Sequence, residues 1–318
     1  MQNQKLISSR SLILMAVLLA ALALFPSVAS RYYIYLAALM LVTGLLASSL
    51  NMVLGFGGMY QFNHAVFYGV GAYAAALLTV RGGVSPWWGY LVGPLAAALL
   101  SLIMGIICVR LSKLYFGMLQ ISLGSLVWAV VFRWYSFTGG DDGLHGVPVP
   151  RLISSGEGAY YFVLIVSVLC LALMYLIVNS PFGRVFMSIR DNPERAEAIG
   201  VNVRLHQLIG LVIAGFFGGV AGTLFVTVEG TVFPDMLFWT LSLEIIIMCL
   251  LGGWFTFLGP MLGGAMVVAL RAVVGTYTDY WTMVLGIILM LLIFFLPEGV
   301  LGFFLARLGR GRTAREEN

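Results

Sequence analysis

Runs of about 20 uncharged residues, the length a helix needs to cross a bilayer core of roughly 30 Å, recur along almost the whole chain. No other feature constrains the fold so tightly. Such runs cover Ser11–Ser30, Gly82–Val109, Leu114–Phe132, Gly158–Pro181 and Leu205–Val228. Tyr32–Val80 carries no charge at all and is long enough for two crossings. Ile245–Leu270 is interrupted by Gly252-Gly253 and Gly259-Pro260, which predicts two shorter segments meeting at a turn. Trp281–Leu296 closes the series before Pro297. Charged residues make up 9% of the chain and hydrophobic ones 61%, whereas soluble domains are roughly a quarter charged. A soluble enzyme, a nucleic-acid binder and a secreted disulfide scaffold are therefore excluded.

The expected fold class is all-α: a polytopic helical membrane protein with about 8–10 transmembrane or re-entrant helices. Segments around 56–70 and 232–245 are the candidates for dipping in and returning. Twelve of the seventeen basic residues fall on one side if the N-terminus is cytoplasmic, among them Lys5, Arg10, Arg110, Lys113, Arg184, Arg190, Arg195, Arg204 and Arg307 to Arg315. Asp141, Asp142, Glu157, Glu229, Asp235 and Asp279 fall on the other. The positive-inside rule then places both termini in the cytoplasm. The basic start, apolar run and small residues at Val28-Ala29-Ser30 also fit a signal peptide. Removing it would spoil the charge alternation, so residues 1–30 are read as an uncleaved first helix. Residues 31–304 form the membrane core and 305–318 a basic cytoplasmic tail.

Small residues stripe several segments, as in Gly218-x-x-x-Gly222, Gly259-x-x-x-Gly263 and Gly69-x-Gly71, which lets helices approach closely in lipid. Motifs for soluble chemistry fail. Gly69-Val-Gly71-Ala-Tyr-Ala74 fits a loose dinucleotide pattern but has no strand before it and no acidic residue before Asp141. The only lysines, Lys5 and Lys113, do not follow glycine, so there is no phosphate-binding P-loop. His64, His145 and His206 lack metal-ligand spacing, and Cys108, Cys170 and Cys249 sit in apolar runs as small buried hydrophobes.

Three features carry more weight. Glu244, in Leu241-Ser-Leu-Glu244-Ile, is an intramembrane carboxylate that must face protein or water; a polar path and a helix start are both open readings, with Arg271 a candidate partner. His64, in Gln61-Phe-Asn63-His64, either binds broken backbone or lines a polar path. The loop 179–204 holds four arginines and three acidic residues between uncharged spans. Asp191 or Asn192 caps a short helix there, with Pro193 in its first turn and Gly200 as its stop. A short amphipathic helix between two spans suits the docking of a soluble partner.

These elements together resemble the permease subunits of branched-chain amino acid ATP-binding cassette importers, of the LivM type. The matching residues are Leu50-Asn51-Met-Val-Leu-Gly55-Phe-Gly57-Gly58, Asn63-His64-Ala-Val-Phe67-Tyr-Gly69-Val-Gly71, Ser180-Pro181-Phe-Gly183-Arg184 and Ile189-Arg190-Asp191-Asn192-Pro193-x-x-Ala196-Glu197-Ala198-Ile-Gly200. Gly218-Gly219-x-Ala221-Gly222, Glu244-Ile-x-Ile-Met, Leu251-Gly252-Gly253, Gly259-Pro260 and Leu296-Pro297-x-Gly299 follow in order.

The resemblance implies a subunit that is no enzyme and binds no cofactor, in a bacterial inner membrane. It implies a second permease forming the path with it, two cytoplasmic P-loop ATPases that use the ATP, a periplasmic solute-binding protein, and no nucleic acid. Arg190, Asp191, Glu194, Arg195, Glu197 and Gly200 are the expected ATPase-coupling loop, a degenerate form of the family's E-A-A-x-x-x-G signature. Asn51, Gln61, Asn63, His64 and Glu244 are the expected solute path. Trp254-Phe-Thr-Phe257 after Gly252-Gly253, and Gln61-Phe-Asn63 before His64, depart from the family pattern and bear on the solute. The implied cargo is a branched-chain or related amino acid. The alternatives are urea, short amides or other small organic solutes carried by the same class, and an ion-coupled secondary transporter.

Overall fold

The computed structural model describes residues 17, 19–111, 113–277, 280–295 and 299–303. Residues 1–16 and 18 of the expected first helix and all of the basic tail at 305–318 lie outside the described residues. Eleven helices set the architecture: α1 Arg31–Leu54, α2 His64–Val80, α3 Gly89–Cys108, α4 Lys113–Arg133, α5 Gly156–Asn179, α6 Pro181–Asp191, α7 Pro193–Ala198, α8 Val203–Glu229, α9 Trp239–Gly252, α10 Gly259–Val274 and α11 Trp281–Phe295. Among the described residues five, α1, α3, α4, α5 and α8, are long and apolar enough to cross a membrane, while α2, α9 and α10 are shorter apolar helices. The interruption expected between Gly252 and Gly259 separates α9 from α10.

Burial sorts these helices into a centre and a rim. α1 and α8 have 72% of their apolar window inside the protein, against 22% for α4 and 33% for α5. α8 packs on α1, α2 and α3, and α1 also carries α5 and α10. The rim helices turn leucine and isoleucine outward at helical spacing, as at Ile165, Leu169, Leu173 and Leu176 of α5. In lipid such faces need no cover, and close packing decides the interior.

Glycine makes that packing possible. A Cβ on Gly71 of α2 would sit 2.5 Å from Gly219 Cα of α8, and one on Gly93 of α3 would sit 2.6 Å from the Gly71 carbonyl. Three backbones therefore meet where no side chain fits. α9 and α10 cross even more closely: a Cβ on Gly252 would lie 1.8 Å from the Gly259 carbonyl oxygen, and one on Gly263 equally near that of Met248.

α6 and α7 lie at one end of the bundle, beside the ends of α1 and α9 and the start of α8. At the opposite end a two-stranded ribbon pairs β1, Leu144–His145, with β2, Thr231–Val232. Beyond β2 the chain dips inward: Leu237 is buried and fills the space beside Gly69 of α2. In the loop after α4, the negative charge of Asp142, and more weakly burial and Asp141, raise the Tyr135 phenol above its ordinary pKa.

Candidate functional site

The chain breaks between α1 and α2, and most of the break is buried, with Tyr60 alone exposed. Gly58, at φ +67°, turns it, and the Met59 N–H closes on the Val53 carbonyl at 3.0 Å. Met59, Gln61 and Asn63 are buried. Irregular backbone at membrane depth is tolerated where protein surrounds it or where it lines a cavity.

Polar side chains gather at this break. Ser49 of α1 donates to the Leu46 carbonyl at 2.7 Å, so its oxygen accepts from His64 Nε2–H, also at 2.7 Å. Among the described residues the other ring nitrogen, His64 Nδ1, is buried without a partner. Both amide atoms of Gln61 and the Oδ1 of Asn63 are likewise buried and unpartnered, and Asn63 Nδ2 meets only the Met104 sulfur at 3.8 Å. Gln120 of α4 joins them: Gly117 and Gly124, on its own helix face, pack against Phe62 and Asn63, and its Oε1 is unpartnered too. Ser49 lies five residues, about 8 Å along the axis, inside the end of α1. This polar seam is therefore internal, not a rim feature.

The first turns of two helices meet beside the seam. Ser242 Oγ, early in α9, accepts the Ala65 N–H of α2 at 3.0 Å. A helix N-terminus carries partial positive charge and spare N–H groups, so the seam offers donors as well as its unpartnered acceptors. Glu244 lies two residues beyond Ser242 and half-buried, within electrostatic reach of Tyr68 of α2 and Arg271 of α10. No hydrogen bond joins it to Gln61, Asn63 or His64. Asn51 sits at the lower edge, where its Nδ2 donates to the Thr256 carbonyl at 3.3 Å and so holds the α9–α10 turn.

The expected coupling loop folds as two capped helices rather than one. Ser180 caps α6, with Pro181 at its first position. Asn192 caps α7 by accepting the Arg195 N–H at 2.9 Å, with Pro193 next. Gly200, at φ +89°, ends it: its N–H bonds the Glu197 carbonyl and the Val201 N–H bonds that of Ala196. This is the paired closure of a Schellman motif, and it needs glycine at the left-handed position. A satellite core of Ile189, Ala196 and Val203 with Val185 and Val201 holds the platform together. Asp191, Glu194, Arg195, Glu197 and Gly200 face outward with Ile199, which is 76% exposed. Arg190 differs, turning inward to the Gly55 carbonyl at 2.8 Å.

Comparison with known proteins now decides the family. The sequence profile described as branched-chain amino acid transport system / permease component matches residues 32–294, which spans both the seam and the platform. The chain belongs to this family. It is 26% identical to the high-affinity branched-chain amino acid transport system permease protein LivM of Escherichia coli (strain K12), over 92% of this chain and 75% of that protein. The probable LivM of Methanocaldococcus jannaschii is 21% identical over 80% of this chain and 88% of its own. The guanosine permease NupQ of Bacillus subtilis is 26% identical, but over 49% of this chain and 54% of its own. No solved structure matches. The chain is thus a membrane permease of the ATP-binding cassette importer class.

The permease also uses residues that sequence reasoning passed over. Ser49, Gln120 and Ser242 are ordinary polar residues in apolar runs: Ser49 and Ser242 find their partners in His64 and Ala65, and Gln120 sits on the helix face that packs against Phe62 and Asn63. Phe186, whose ring fills the gaps beside Gly57 and Gly210, carried a readable signal: it lies one turn before Arg190 on the apolar face of α6.

Proposed function

We propose that the permease carries a branched-chain or related amino acid across a bacterial inner membrane, pairing with a second permease and driven by two ATPases docked on α6 and α7. The platform end is then cytoplasmic, in keeping with its arginines. A periplasmic binding protein delivers the solute to the opposite end. Similarity to LivM proteins along nearly the whole chain, against half of it for the guanosine permease, favours an amino acid over a nucleoside.

The observation that carries the solute path is the buried seam. Each buried polar atom without a partner costs about 1–3 kcal/mol, and several are collected within a few residues of one another. A solute bearing both donors and acceptors, as an amino acid does, meets such a surface: acceptors at Asn63, His64 and Gln120 suit an ammonium group, and the helix N-termini suit a carboxylate. Asn51 and Glu244 belong to the same path in this reading. Alternating access follows when the platform moves and the seam opens to one side and then the other.

The test is reconstitution. In proteoliposomes holding both permeases, the ATPases and the binding protein, Glu197→Ala or Gly200→Ala should leave ATP hydrolysis running while uptake falls. Solute uptake by this subunit alone, without ATPases, would overturn the reading in favour of a secondary transporter.

A further inference from the structure

Arg190 faces two ways at once. Its Nε and Nη2 both donate to Asp191 Oδ1, at 3.1 and 3.0 Å, and its Nη1 donates to the Gly55 carbonyl at 2.8 Å. The Asp191 side chain is 70% exposed on the outer surface of the platform, whereas that of Arg190 is 27% exposed. The stem of Arg190 covers Gly58, where a Cβ would lie 2.6 Å from Arg190 Cγ. The guanidinium rests over the ring of Phe255, 5.6 Å from its centroid, in the turn between α9 and α10.

Each contact has a physical reason. The Gly55 carbonyl closes the C-terminal end of α1, where carbonyls lack helical N–H partners and partial negative charge collects. A guanidinium satisfies both conditions, and its planar fork serves Asp191 with two donors while a third reaches Gly55. Phe186 seats one turn earlier against Gly57 and Gly210. Gly55–Gly58 is therefore gripped at two points by α6, and Gln61, Asn63 and His64 follow within six residues of Gly58.

We propose that Arg190, held in place by Asp191, is a positioning residue that carries movement of the platform into the buried seam. Asp191 is the outer handle, the Arg190 fork the strut and the Gly55–Gly58 turn the part that is moved; Phe255 brings the α9–α10 turn along. The strut rests on the reading that ATPases dock on α6 and α7. It adds to that reading the specific link between docking surface and solute path.

The experiment measures uptake and ATP hydrolysis in the same proteoliposomes, made from the full importer, with co-purification of the subunits as the check on assembly. Arg190→Lys keeps the charge but not the fork, Arg190→Ala removes both, and Asp191→Asn frees the fork from its outer anchor. In both Arg190 variants, whose side chain turns inward, assembly and hydrolysis should stay near wild type while solute moved per ATP falls about tenfold, within the range expected for residues that carry coupling. Asp191→Asn, on the docking face, should lower solute moved per ATP by less. Unchanged uptake per ATP in Arg190→Lys and Asp191→Asn would overturn the proposal. So would a parallel fall of assembly, hydrolysis and uptake, which marks a plain structural brace. If Arg190→Ala does not assemble, Arg190→Lys and Asp191→Asn decide the matter. Absence of ATP-driven uptake in wild type would instead strike the reading beneath.

Discussion

The bundle is interrupted twice, between α1 and α2 and between α9 and α10, and the two interruptions meet opposite demands. The α9–α10 turn is satisfied by its own bonds and by Asn51 of α1. Gly253 N–H bonds the Cys249 carbonyl, and Thr256 returns both its N–H and its hydroxyl to Gly253. Phe255 at its tip is 60% exposed. The α1–α2 break is longer and, apart from the exposed Tyr60, largely buried, and among the described residues it leaves both amide atoms of Gln61, Asn63 Oδ1 and His64 Nδ1 unmatched. A membrane interior does not keep such groups for stability, since apolar replacements of the same shape would serve as well or better. The first interruption is built to hold a shape, the second to meet something that arrives.

The largest effect expected from this contrast belongs to the satisfied turn. Gly252→Ala or Gly263→Ala would push a methyl group to within 1.8 Å of a carbonyl oxygen on the facing helix. Overpacking of this kind costs about 1–3 kcal/mol or more, and helices fixed by backbone contact have little room to adjust. Thermal unfolding in detergent should show a clearly lowered midpoint for both, with uptake lost because folded protein is lost.

The α1–α2 break should behave in the reverse manner. Gln61→Leu removes an amide with no partner among the described residues, and Asn63→Leu one whose only bond is the weak contact of Nδ2 with the Met104 sulfur, so stability should hold or rise by about 1 kcal/mol. Uptake by the reconstituted importer should nevertheless fall about tenfold or more, as when polar contacts to a solute are removed. A marked loss of stability in these variants would show that the amides are structural, and the contrast between the two interruptions would collapse.

How much of this could be read beforehand follows from the range of the contacts. The long spans were legible because absence of charge over about 20 residues is a local signal. The α9–α10 turn was legible from Gly252-Gly253 and Gly259-Pro260. The caps of α7 were legible in Asn192, Pro193 and Gly200, since capping joins residues a few positions apart. What stayed hidden is long-range: Ser242 serving Ala65, Gly124 packing on Asn63, Arg190 reaching Gly55 across 135 positions. Arg190 shows the limit well. Its place in a charged loop suggested an outward contact with a partner, and only the fold turns it inward.

A smaller effect should come from the link between the first turns of α2 and α9. Ser242→Ala removes the acceptor for the buried Ala65 N–H, a loss comparable to that of a helix cap, about 0.5–2 kcal/mol. Circular dichroism on heating would register it as a modest fall in midpoint, and Ser242→Thr, which keeps the hydroxyl, should restore most of it.

The smallest expected effect tests the bridge between the two interruptions. Asn51 belongs to α1 yet donates to Thr256 in the α9–α10 turn, at 3.3 Å, a long bond. Hydrogen bonds between membrane helices average about 0.6 kcal/mol, and a bond of this length should not exceed that. Asn51→Leu should therefore leave assembly intact and speed amide exchange in the Gly253–Leu258 turn by a factor of about three, the equivalent of 0.6 kcal/mol in opening free energy. The α1–α2 break should exchange as before, because its polar groups do not depend on this bond. If exchange instead quickens in both, Asn51 is a shared support, and the two interruptions open as one unit rather than as a fixed turn beside a receptive one.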